Sequence, residues 1–174
     1  AQIRSNDEML SRGDVWSIDA MRTNPELEGQ APMAAGTTTV ATVMRDAGYR
    51  TAMIGKWGLG GPNSKSTPID MGFDYFYGYL CQRMAQCYYP PFLYNGLERE
   101  YTANPRMNLG DKLDKCADPY DTASYKKFTG PTYSPDAIYE RIEQFVSSSV
   151  DEEFFLMWTT TIPHSALSAP DEWV

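Results

Sequence analysis

Apolar residues along the chain follow two patterns, spaced by three and four in some stretches and contiguous in others. In "TTTVATVMRDAGYR" (residues 37–50), Val40, Val43, Met44 and Ala47 recur at i, i+3, i+4 and i+7, which predicts one face of a helix. The threonines at 37–39 offer an N-cap, and Gly48 stands where a C′ glycine would end the helix. "YRTAMIG" then reads as a short strand leading into "KWGLGG". A second unit lies near the other end. There Ser134 is placed to cap a helix, Pro135 fits its first position, and Asp136 suits the partial positive charge of the first turn. Ile138, Ile142, Phe145 and Val146 line one face of that helix. "FFLMWTTT" (154–161) follows as an apolar run of strand length, expected of a strand buried on both faces. Helix then strand, twice over, predicts an α/β architecture with a mostly parallel sheet flanked by helices.

The remaining segments are less regular. Residues 1–36 are polar and read as a loop-like lead-in, with turn signals at Arg12-Gly13-Asp14 and Asn24-Pro25. Residues 62–133 are rich in aromatics, Gly and Pro. "GFDYFYGYLCQRMAQCYYPPFLYNG" holds nine Tyr and Phe in 25 residues, with little periodicity. So long a stretch without regular structure is unusual in a free-standing loop. It is expected to fold over the edge of a sheet as an insertion between the 37–61 and 134–174 units. Packing of core and rim explains the tyrosines most simply, with stacking on sugars the sharper alternative.

Composition narrows the partners. The formal net charge is −8 over 174 residues, with a pI near 4.6, so the basic face that nucleic acid requires is missing. A local pair of cations can still hold a small anion against a distant acidic surface. No run approaches 18 consecutive apolar residues, so no membrane-spanning helix is expected. Cys81, Cys87 and Cys116 include no CxxC pair, and the chain has one histidine, which argues against a zinc site. Whether any of the cysteines form a disulfide is left open, as is the oligomeric state.

Candidate chemistry sits at two corners. In parallel α/β sheets, ligands bind beyond the carboxyl ends of the strands. Lys56 follows the first strand and His164 the second, so neighbouring strands would bring an ammonium and an imidazole toward one crevice. That pair suits an anionic group, with lysine as a point charge and histidine as hydrogen-bond donor or proton shuttle. Glycines at 55, 58, 60 and 61 would let backbone approach closely. The corner is not a P-loop, because Ser64 rather than Gly precedes Lys65-Ser66. Residues alone leave open that the glycines form a plain turn and that His164 is a structural hydrogen-bonder.

Three segments carry a family resemblance. "GYRTAMIGKWGLG" resembles a signature of the sulfatase family, of bacterial arylsulfatase type within the alkaline-phosphatase-like superfamily. "GFDYFYGYLCQR" with "YYPPFLYNG" is similar to the stretch that follows it, and "FFLMWTTTIPHSALSAPDEWV" to a later strand ending in Pro-His. The matches occur in family order and span roughly residues 37–174. The resemblance implies a partial alkaline-phosphatase-like fold and a sulfuric ester hydrolase acting on a sulfated small molecule or glycan. It gives Lys56 a contact to sulfate and nucleophile, and His164 a contact near the bridging oxygen of the ester. Arg50 and Trp57 would be structural. Where relatives often carry histidines, this chain has Gly58, Met84 and Gln86.

The resemblance further implies Ca2+ and a formylglycine made from Cys or Ser in a Cys/Ser-x-Pro-x-Arg motif. No such motif occurs here, and the family's calcium ligands have no counterparts in the sequence. The chain is therefore expected to be an internal segment of a longer enzyme, inactive by itself, with Ca2+ and formylglycine held outside it. Periplasmic or extracellular location is implied by the resemblance only. Two other readings stand beside it: a phosphate or phosphonate ester hydrolase of the same superfamily with a Thr or Ser nucleophile, and an inactive, aromatic-lined carbohydrate-binding protein.

Overall fold

A computed structural model of the chain describes residues 14–105, 109, 113–164 and 168–170. The lead-in is more ordered than its polar sequence implies. It forms helix α1 (Ile18–Thr23), started by the Ser17 side chain accepting from the Ala20 N–H, and a short 3-10 turn at Pro25–Leu27. Val15 and Met21 are fully buried. Arg83, also buried, donates from Nε to the Val15 carbonyl at 2.8 Å and from Nη2 to the Leu27 carbonyl at 2.7 Å. A buried guanidinium with carbonyl partners ties this segment to the core; the sequence holds no local signal of that long-range contact.

Helix α2 (Val40–Asp46) has the predicted cap: Thr39 and Thr42 bond each other's backbone N–H reciprocally. Gly48 lies just beyond the helix end. The predicted apolar face is not the one that packs, however. Val40 and Val43 are 49% and 54% exposed, while Ala41 is buried. Docking runs through the threonine corner instead, where Thr39 Oγ1 donates to the Met71 carbonyl at 2.6 Å and Thr42 lies against Gly72.

The sheet has five strands in the order β4-β3-β2-β1-β5. Strand β1 (Arg50–Lys56) is central and buried at five of its seven positions. It pairs in parallel with β2 (Tyr75–Tyr79) on one side and β5 (Phe154–Thr159) on the other. Strands β3 (Phe92–Asn95) and β4 (Glu98–Tyr101) form a hairpin turned at Gly96-Leu97 and add antiparallel to β2. The α/β fold thus carries a mixed sheet. Three of its strands come from the stretch read as irregular. The closely spaced tyrosines are core: Tyr77, Tyr79, Tyr88, Tyr89 and Tyr94 are all nearly inaccessible.

Helix α3 (Ser134–Ser147) precedes β5 and contacts β1 and β2. Ile138 and Phe145 are buried as predicted, but Val146 is 38% exposed. Ser134 is not the cap. Tyr133 holds that position without a side-chain bond, and the Ser134 Oγ instead lies 2.7 Å from the buried Tyr79 hydroxyl. Strand β5 also differs from expectation. It ends the sheet rather than lying within it, so among the described residues no strand pairs with its outer side, and Trp158 is 56% exposed.

Candidate active site

The site grows from the carboxyl end of β1. Gly55 pairs with Thr159 of β5 and with Gly78 of β2. A Cβ placed on Gly55 would sit 2.0 Å from the Thr159 carbonyl oxygen, and its φ of +124° is one that side chains disfavour. Only glycine lets β1 and β5 approach this closely. The next residue, Lys56, has its carbonyl bonded by the Thr159 hydroxyl at 2.7 Å. Backbone pairing with the β2 side continues past the strand, from Trp57 N–H to the Tyr79 carbonyl (2.8 Å) and from Gly58 N–H to the Leu80 carbonyl (3.1 Å). Lys56 is therefore held from both sides through its backbone, with its side chain half-buried.

Trp57 and Arg50 are both engaged in contacts within the fold. The Trp57 indole donates to the Ser66 carbonyl at 2.8 Å and meets Phe73 edge to face. Arg50, at the opposite end of β1, bonds Ser148, Ser149 and Glu152 and lies over the Phe145 ring.

His164 leaves the sheet after β5, five residues past Thr159 and directly after a cis Ile162–Pro163 peptide. Its backbone N–H donates to the Tyr88 hydroxyl at 2.6 Å. Tyr88 is itself buried and packs edge to face on Tyr133 at 6.0 Å. Burial pushes the Tyr88 phenol above its ordinary range, and the bond from His164 only partly offsets this, so the hydroxyl stays neutral. Because β1 and β5 are parallel neighbours, Lys56 and His164 leave the same edge of the sheet from adjacent strands, which lie about 4.8 Å apart.

The sequence reading missed Gln82 and Gln30. Gln82 follows β2 by three residues, at the same edge as Lys56 and His164. Its backbone N–H is bonded by Oε1 of the buried Gln30 at 2.9 Å, and Gln30 Nε2 reaches the Cys81 sulfur at 3.9 Å. The Gln82 side chain lies over Gly58: a Cβ there would be 3.0 Å from Gln82 Oε1 and 3.2 Å from Gln82 Cβ. Recognising β2 in the sequence would have exposed this residue, since the rule that singled out Lys56 applies to it equally. Met84, in contrast, is fully buried and serves the core.

Beside this corner lies a buried charge. The Glu28 Oε2 accepts from Arg99 Nη2 at 2.6 Å and from the Tyr94 hydroxyl at 2.9 Å, while its Oε1 has no partner. Burial pushes this carboxyl above the usual range, against the pull of Arg99 and Tyr94. The pair anchors the β3–β4 hairpin to the lead-in. Among the described residues no three His, Cys, Asp or Glu side chains gather closely enough to hold a metal ion. They do not fit the Ca2+ that the resemblance implies. None of the three cysteines forms a disulfide, and no described helix is long and apolar enough to cross a membrane.

Comparison with known proteins agrees with this architecture. An arylsulfatase of Klebsiella aerogenes is 30% identical over 173 residues, covering 98% of this chain and 33% of the relative. The PsFucS1 sulfatase structure from Pseudoalteromonas sp. superposes with a TM-score of 0.52 at 16% identity, over 82% of this chain and 32% of that one. A structure of BT4656 in complex with its substrate D-glucosamine-2-N,6-O-disulfate gives a TM-score of 0.50 at 21% identity, over 77% and 20% of the two chains. At these identities the structural likeness concerns the fold. The chain spans about a third of the length of the curated arylsulfatase it matches. The sequence model of the sulfatase family covers residues 8–174, so this chain, with its Gly-Lys-Trp corner and mixed α/β sheet, belongs to the sulfatase family.

Proposed function

We propose that the full-length protein containing this chain hydrolyses sulfate esters of aryl or carbohydrate alcohols, with Lys56 and His164 at the reacting group. The observation that carries this reading is the parallel pairing of β1 with β5, which gives both residues a common edge inside a family-matched chain. Cleaving the S–O bond builds negative charge on the leaving oxygen while the sulfate oxygens keep theirs. Fixed donors aimed at those atoms stabilise the transition state more than the ground state. Lys56 supplies a compact charge to the sulfate oxygens, and its anchored backbone limits the reorganisation needed. His164 supplies a hydrogen bond at the bridging oxygen and can pass a proton to the departing alcohol.

In this reading the nucleophile comes from outside residues 1–174, and the two residues contribute charge, a hydrogen bond and a proton. The arylsulfatase relative supports the aryl reading, and the sulfated-sugar complex of the fold neighbour supports keeping a glycan beside it. Residues 1–174 form an internal part of the catalytic domain and have no turnover alone. Export to the periplasm or beyond is part of the same proposal. The test is steady-state kinetics of the full-length protein on 4-nitrophenyl sulfate and 4-nitrophenyl phosphate. The sulfate ester is expected to turn over faster. Faster phosphate hydrolysis would point to the related phosphoesterases, and no turnover of the aryl sulfate or of an O-sulfated glucosamine assayed beside it would contradict the reading.

A further inference from the structure

We infer that Gln82 is a third substrate-contacting residue, its carboxamide hydrogen-bonding the anionic group that Lys56 holds. This rests on the function proposed above and extends it to a residue that no motif marks. Three parallel strands, β2, β1 and β5, end along one edge: Lys56 closes β1, while Gln82 and His164 follow β2 and β5 by three and five residues. The middle and flanking positions are linked directly, because the 79–80 backbone runs on beside 57–58 through two further hydrogen bonds.

Four features make Gln82 a positioned group rather than a passing surface amide. Its backbone is fixed by Gln30, a side chain that is itself only 3% exposed. Its side chain occupies the space above Gly58, which has no Cβ and a φ of +89°. No hydrogen bond to its carboxamide occurs among the described residues, although the side chain is only half exposed. Finally, Gly58 is two residues from Lys56, a span of at most about 7 Å. With the Gln82 side chain packed over Gly58, the lysine and the glutamine amide flank one corner where a tetrahedral anion could meet both.

The chemistry is complementary. Glutamine offers two N–H donors and no charge, so it adds direction where Lys56 adds field. The same geometry explains how the chain tolerates glycine at 58. A side chain there would be strained by the backbone and would press on Gln82 at 3.0–3.2 Å, so the polar group over the corner comes from the segment after β2 instead of from position 58.

The test uses the full-length protein with Gln82→Ala and Gln82→Glu. Hydrolysis of 4-nitrophenyl sulfate and binding of inorganic sulfate by calorimetry are both read, with thermal melts to confirm folding. Loss of a hydrogen bond to a charged group is expected to weaken both by about tenfold in Gln82→Ala. Gln82→Glu keeps the shape but sets a carboxylate against the anion, so it is expected to be worse than alanine on both measures. A role confined to packing would instead spare the isosteric glutamate. Active wild type with both variants unchanged overturns the role of Gln82 and leaves the proposed function standing. Wild type that hydrolyses neither an aryl sulfate nor an O-sulfated glucosamine removes that function, and sulfate binding then decides for Gln82 alone: loss in Gln82→Glu supports it, retention overturns it.

Discussion

Lys56→Ala in the full-length protein is expected to lower kcat/KM for an aryl sulfate by roughly 100- to 1,000-fold, the usual cost of deleting one preorganised donor to a developing oxyanion. The fold should survive. Lys56 sits at the last position of β1, and what fixes it is backbone, through the Thr159 hydroxyl and the continued pairing with β2. Removing the side chain leaves those bonds in place. The losses in stability are confined to a half-buried aliphatic stem, about 1 kcal/mol or less. Activity and stability thus separate, and kinetics with a thermal melt on the same sample reads both. Lys56→Arg should not restore the rate, since a longer planar fork does not place its charge where a compact ammonium does. A Lys56→Ala enzyme within tenfold of wild type would remove the lysine from the reaction.

Gly55→Val is expected to abolish the soluble folded state. The added Cβ would fall 2.0 Å from the Thr159 oxygen and 2.8 Å from its carbon, both backbone atoms that cannot swing aside. Relief requires β5 to move off β1. The disfavoured φ adds strain of about 1–3 kcal/mol, and overpacking at least as much again. Together these come to about 2–6 kcal/mol, enough at the upper end to unfold a domain at the low end of the usual stability of about 5–15 kcal/mol. Denaturant unfolding of Gly55→Ala, the milder variant, should show a large drop in midpoint. A wild-type midpoint would mean that β1 and β5 are not packed as described, and the common edge of Lys56 and His164 would lose its basis.

How much of this was legible in the sequence depends on whether the signal was local. Helix α2, its threonine cap and Gly48 could be read because caps and periodicity act over a few residues. Strands β1 and β5 could be read as contiguous apolar runs. The hairpin of β3 and β4 could not, because its strands are four residues each and the second, "EREY", is mostly charged and offers no apolar run. A Gly-containing two-residue turn between "FLYN" and "EREY" was the available signal. Burial of Arg83 and Glu28 was invisible for another reason: the partners each one bonds lie more than fifty residues away. The face of α2 was misjudged because threonines, not valines, meet the neighbouring loop. At the site, Lys56 and His164 followed from strand ends that were recognised, and Gln82 was missed with the strand that carries it.

The central claim is that ammonium and imidazole serve one anion. An experimental structure of the full-length protein with inorganic sulfate tests it most directly. A sulfate ion is expected with its oxygens about 2.7–3.2 Å from both Lys56 Nζ and a His164 ring nitrogen. Side chains of Lys56 and His164 turned to opposite faces of an intact sheet, or a sulfate bound by neither, would contradict it.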